Sequence, residues 1–130
     1  MPSTNVALKA ASHNRQCKVL TSATLNAAQL LDISQAMLAK ILGVSPPTIS
    51  RMRGGNYHLD QKRKEWDLAV LFVRLFRSLD SMTAGREADA KAWLHSANRG
   101  FGNKRPVDLI ESVTGLVHAV DYLDAIRGRI

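Results

Sequence analysis

Residues 34–54 read SQAMLAKILGVSPPTISRMRG, and this stretch carries the punctuation of two short helices set at an angle around a tight glycine turn. Met37, Leu38, Ile41 and Leu42 recur at helical spacing, and Ala39 is small enough for a second helix to cross closely. Gly43 supplies the positive φ wanted just past the last periodic position, and Val44 fills the angle between the helices. Ser45 is a good N-cap, Pro46 and Pro47 occupy a first turn in which a missing N–H costs nothing, and Ile49 and Met52 lie three apart on the core side. Because Pro47 disfavours helical φ/ψ at Pro46, the second helix is expected to begin at Pro46 or one residue later. The pattern is a helix-turn-helix. An ordinary αα-hairpin with a solvated charged face is the bland alternative, and the Gly-Val-Ser turn counts against it.

The exposed face expected for the second helix holds Thr48, Ser50, Arg51 and Arg53, small or donor-rich side chains suited to base edges and flanking phosphates in a major groove. Ser45 at the helix start belongs to the same DNA-binding set, as does Gln35, which is positioned for a phosphate contact. Whether Arg51 reads a base or clamps a phosphate stays open. The charge distribution agrees with a polyanion partner: residues 1–66 hold nine basic and three acidic side chains, whereas residues 67–130 hold nine and eight. The nearly neutral second half suits a protein-binding surface.

Four segments follow from periodicity and breakers. Residues 1–18 read as an arm, mobile or partly helical; 19–60 as the helix-turn-helix domain, with a supporting helix over residues 21–31; 61–82 as a long linker helix; and 83–130 as a second unit. The linker helix, expected over residues 61–81, has an apolar arc too wide for one neighbour, with polar positions only near Asp67, Arg74, Ser78 and Ser81. It is therefore expected to join the halves and to contribute to a homodimer, burial within one chain being the alternative. In the second unit a helix over residues 86–95 turns Ala88, Ala92 and Trp93 inward, a short helix opens at Pro106, and Thr114 caps a last helix carrying Leu116, Val117, Val120, Leu123 and Ile126. No strand-like alternation occurs, so the fold class is all-α.

A single cysteine, Cys17, excludes an internal disulfide and a cysteine-based metal cluster, and it has no evident activating partner in sequence. His13, His58, His95 and His118 lack the close pairing of a zinc site, so no metal is expected. Asp121 and Asp124 read as a solvated helix face, and no phosphate-binding loop follows a strand, so catalysis is not expected. No signal peptide or membrane span is legible, which points to the cytoplasm.

From Trp93 onward the chain reads WLHSANRGFGNKRPVDLIESVTGLVHAVDYLDAIRGRI. The Trp93-Leu94 pair, Asn98 in the turn, Arg105-Pro106 opening a helix with Asp108-Leu109, and Gly115 and Tyr122-Leu123 in the last helix come in an ordered series. In that order, after a helix-turn-helix and an apolar linker, they resemble the C-terminal domain of the Xre-type antitoxins named after MbcA and ParS; the resemblance spans about residues 30–130. It implies an antitoxin that binds the operator of its own operon and occludes a RES-type toxin whose substrate is NAD. On that resemblance Tyr122, Ile126, Arg127, Arg129 and Ile130 lie nearest the toxin's NAD pocket. Arg99, Lys104 and Arg105 are candidates for toxin carboxylates, with a structural role favoured for Arg105-Pro106. The chain itself is expected to bind no NAD or other cofactor. The closer rival is a stand-alone helix-turn-helix repressor without a toxin partner.

Overall fold

In the computed structural model, which describes residues 4–128, helix α1 runs unbroken over Thr4–Leu30. That span contains no Gly or Pro and six alanines, so nothing in it interrupts the helical ladder. The segment expected as an arm is thus helical from Thr4, although residues 4–12 are exposed and only from Cys17 onward does a buried face appear. Cys17, Thr21, Thr24, Ala27 and Ala28 form that face. The helix closes on Asp32, whose φ of 56° lies in the left-handed region, with Ile33 N–H donating to the Ala28 carbonyl at 2.8 Å. An aspartate fills a place usually given to glycine.

Helices α2 (Gln35–Leu42) and α3 (Pro46–Arg53) form the expected pair. Ser34 caps α2 by accepting from Met37 N–H, and Gly43 ends it at φ 70°. Ser45, extended at ψ 153°, caps α3, which begins at Pro46 rather than one residue later. Leu38, Leu42, Ile49 and Met52 are buried between the helices, and Ala39, also buried, permits the close crossing.

Helix α4 spans Glu65–Met82, four residues later than expected. Lys62, Arg63 and Lys64 would crowd the positive end of a helix dipole, whereas Glu65 and Asp67 complement it. Its apolar arc is covered from several sides, by α1, α2, α5 (Glu87–His95) and α7 (Val113–Gly128). Phe72, Leu75 and Leu79 are fully buried. Most of the arc that suggested a dimer is therefore occupied within one chain.

The second unit contains α5, a 3-10 turn at Arg99–Phe101, α6 (Pro106–Leu109) and α7. In α5 the inward residues are Ala90 and Leu94, while Ala88 and Ala92 face solvent and Trp93 is half-buried. The apolar stripe is set one register away because Leu94, not Trp93, is the residue that reaches the core. Helix α7 begins at Val113, and its cap is Ser112, whose Oγ accepts from Gly115 N–H at 3.0 Å; Thr114 lies inside the first turn. Among the described residues there is no strand, only an isolated bridge between Asn98 and Lys104. One continuous core cluster reaches from Ala27 to Leu123, so the two units share an interior. His95 reinforces the junction, with its Nε2 2.8 Å from the carbonyl oxygen of Leu31 at the end of α1.

Candidate functional site

The α3 surface is built around its N-terminus. Ser45 Oγ accepts from Thr48 N–H at 3.3 Å and lies 2.9 Å from Thr48 Oγ1, which in turn accepts from Arg51 Nη2 at 3.1 Å. Thr48, expected on the exposed face, is 8% exposed: its hydroxyl is consumed in orienting Arg51. Ser50, Arg51 and Arg53 remain exposed. Gln35 Nε2 donates across the turn to the Pro46 carbonyl at 3.2 Å and to Ser50 Oγ, so Gln35 ties the first helix to the start of the second. Arg53 stands apart from this group, over a polar hollow bordered by Ser22, Asn26, Gln29 and Asp32. Behind α3, Tyr57 O–H donates to the buried Glu65 at 2.6 Å; burial first and the neighbouring carboxylate second push the phenol above its ordinary range. The burial of Glu65 was not legible among three preceding cations.

The second surface lies over the 3-10 turn and α7. Phe101 sits at the centre of an aromatic group, with ring centroids 4.9 Å from Tyr122, 5.7 Å from Trp93 and 5.0 Å from His118. Tyr122 covers Gly100, where a Cβ would come within 2.8 Å of the ring. Asn98 organises the turn: its side chain accepts from Gly100 N–H at 2.8 Å and its backbone N–H donates to the Lys104 carbonyl at 3.0 Å. Arg99 and Lys104 are exposed at the two sides of this turn. Arg105 holds Asp108 through two 2.9 Å hydrogen bonds, which keep that carboxyl below the ordinary aspartate range. The pair spans the first turn of α6, which Pro106 opens.

Further along α7, Ile126 is half-buried and Arg127 donates to Ser78 Oγ on α4 at 3.2 Å. Ser78, expected in a polar solvent stripe, is fully buried; its hydroxyl also reaches Asp124 at 3.3 Å, and Asp124 pairs with Arg74. Asp124 is thus part of an interhelical network rather than a solvated face. Arg129 and Ile130 lie outside the described residues.

A third cluster joins residues far apart in sequence. His13 Nε2 stands 3.6 Å from Cys17 Sγ and 3.6 Å from Asp60 Oδ1. Cys17 therefore has a neighbour after all, and the fold, not the spacing, brings Asp60 to them. Between α1 and α4, Val19, Leu20, Ala23, Val70 and Val73 floor a groove rimmed by Arg15, Arg74 and Arg77.

The chain thus sets a helix-turn-helix and a small all-helical unit on either side of a shared helix. The family model of the antitoxin Xre-like helix-turn-helix domain matches residues 18–74, and that of the antitoxin Xre/MbcA/ParS C-terminal toxin-binding domain matches residues 78–129. The chain belongs to the Xre/MbcA/ParS antitoxins. A chain of the M. tuberculosis MbcT-MbcA toxin-antitoxin complex has a similar fold, with a TM-score of 0.62 and 20% identity over 86% of this chain and 96% of that one. No curated protein matches this sequence.

Proposed function

We propose that this antitoxin neutralises an NAD-consuming RES-type toxin by covering its active site with the face formed by Arg99, Tyr122 and the end of α7, and that it represses its own operon through α3. The observation that carries this reading is the succession of the two antitoxin domain models along one chain. The exposed Ser50, Arg51 and Arg53 supply the donors for operator DNA, and the excess positive charge up to residue 66 supplies the attraction to phosphate. The chain acts by occupying surfaces and not by chemistry of its own, in the cytoplasm where operator and toxin both lie; among the described residues no helix is long and apolar enough to cross a membrane. Within a toxin-antitoxin hetero-oligomer, a homodimer would use the groove between α1 and α4, where Val19 and Val70 remain exposed.

The test is to co-express the chain with the product of the adjacent gene and to follow growth and cellular NAD, with and without residues 127–130. Rescue that needs the tail supports inhibition by plugging the toxin's pocket. Rescue without the tail moves inhibition to the Tyr122 face, and no effect on growth or NAD in any combination leaves a helix-turn-helix repressor without such a partner.

A further inference from the structure

We infer that His13, Cys17 and Asp60 form a three-ligand site for a zinc-class divalent cation, with a fourth coordination position left to water. An imidazole nitrogen, a thiol sulfur and a carboxylate oxygen suit zinc or cobalt, and the sulfur makes the set unsuitable for magnesium or calcium. All three ligand atoms lie within 4.8 Å of one another. The two separations from His13 Nε2, each 3.6 Å, carry the inference further. Zinc binds sulfur at about 2.3 Å and nitrogen at about 2.0–2.1 Å, so a sulfur and a nitrogen on one tetrahedral ion stand about 3.6 Å apart; a nitrogen and an oxygen stand only a few tenths of an ångström closer.

Hydrogen bonding alone accounts for this arrangement less well. The same ring nitrogen faces both the sulfur and the carboxylate, one N–H cannot serve both acceptors well, and 3.6 Å is long for an N–H···O bond. Because Asp60 meets the same nitrogen as Cys17, it does not orient the ring through the opposite nitrogen, as a thiol-activating relay would require. A cation between the three groups satisfies each of them. With the thiol deprotonated, two negative ligands balance the ion's double charge.

The surroundings hold these ligands in place. His13 and Cys17 are one turn apart on α1 and share a face. Thr21 Oγ1 donates to the Cys17 carbonyl at 2.7 Å and accepts from Leu59 N–H at 2.9 Å, so the turn bearing the thiol is stitched to the residue preceding Asp60. Lys62 N–H donates to Asp60 Oδ1 at 2.9 Å and orients the carboxylate. Cys17 is 6% exposed, while His13 and Asp60 stand at the surface and leave an entry path. An ion here braces the outer part of α1 against the segment that follows α3.

Titration of the full-length, tag-free chain with Co(II), in a reductant that contains no thiol, tests the assignment. The expected result is one equivalent bound, with a thiolate-to-cobalt charge-transfer band in the near ultraviolet and intense visible bands of tetrahedral geometry, all displaced by Zn(II). Cys17→Ser removes the charge-transfer band, and His13→Ala and Asp60→Asn each weaken Co(II) binding at least tenfold. His13 lies on the helix surface, so its variant remains a fair test if Cys17→Ser fails to fold. Absence of the band in the parent chain overturns the site, as does a band of equal strength and affinity in His13→Ala and Asp60→Asn.

Discussion

Gly115→Ala would set a methyl carbon 1.8 Å from the Leu109 carbonyl oxygen and 2.6 Å from the carbonyl carbon. Real Cβ atoms essentially never come within 3.0 Å of such an atom, so the turn between α6 and α7 must open by more than an ångström, and both contacting atoms are backbone. Overpacking of this kind costs up to about 3 kcal/mol. Better helix propensity of alanine returns about 1 kcal/mol, leaving a net destabilisation of about 2 kcal/mol. An unfolding entropy of about 2.1 cal/mol/K per residue gives about 0.27 kcal/mol/K for a chain of this length, so Tm should fall by about 7 °C. Gly128→Ala is the matched control: no atom lies within 4 Å of the added carbon, and Tm should hold steady or rise slightly. Thermal unfolding followed by circular dichroism at 222 nm reads both. Equal melting temperatures for Gly115→Ala and the parent chain would refute the close-approach argument, and two separate transitions would refute the shared core on which the whole-chain entropy rests.

Arg51→Ala should weaken operator binding in a gel-shift assay while toxin protection in cells is retained; loss of both would break the two-surface reading. Leu38→Ala, at a fully buried position between α2 and α3, should cost about 2–5 kcal/mol in urea unfolding. Ser78→Ala removes the hydroxyl shared by Asp124 and Arg127 and should cost about 1 kcal/mol in the same assay. Asp60, held below its ordinary value of 3.8 first by the Lys62 backbone N–H and then by His13, is a depressed carboxyl. Its contribution is fully present above that value and lost as the pH falls through the lower folded one. Asp60→Asn should therefore narrow the stability difference between pH 6 and pH 3; an unchanged acid profile would count against that tie.

The helix-turn-helix was legible because its signals are local: a cap, a glycine turn and a helical period all fall within residues 34–54. The all-α class followed from the same kind of signal, as did the helix opened by Pro106. What was not legible depended on which neighbours the fold supplies. Residues 4–12 have helical propensity but no period, so they could be read only as a mobile or partly helical arm. Ser78 looks like a surface serine until Asp124 and Arg127 are brought over it, and Thr48 looks exposed until Ser45 and Arg51 engage its hydroxyl. The start of α4 was misjudged because periodicity outweighed the unfavourable charge at Lys62 to Lys64. The ordered residues of α7 and of the turn before α6 were legible, but the aromatic packing of Tyr122 on Phe101 and Gly100 required the fold.

The interior that runs without interruption from Ala27 to Leu123, locked by the His95 imidazole on the Leu31 carbonyl just past α1, should open as one unit. Loss of packing in one half would then expose the other. A protease that captures the opened chain would remove the helix-turn-helix and the toxin-binding domain in one event.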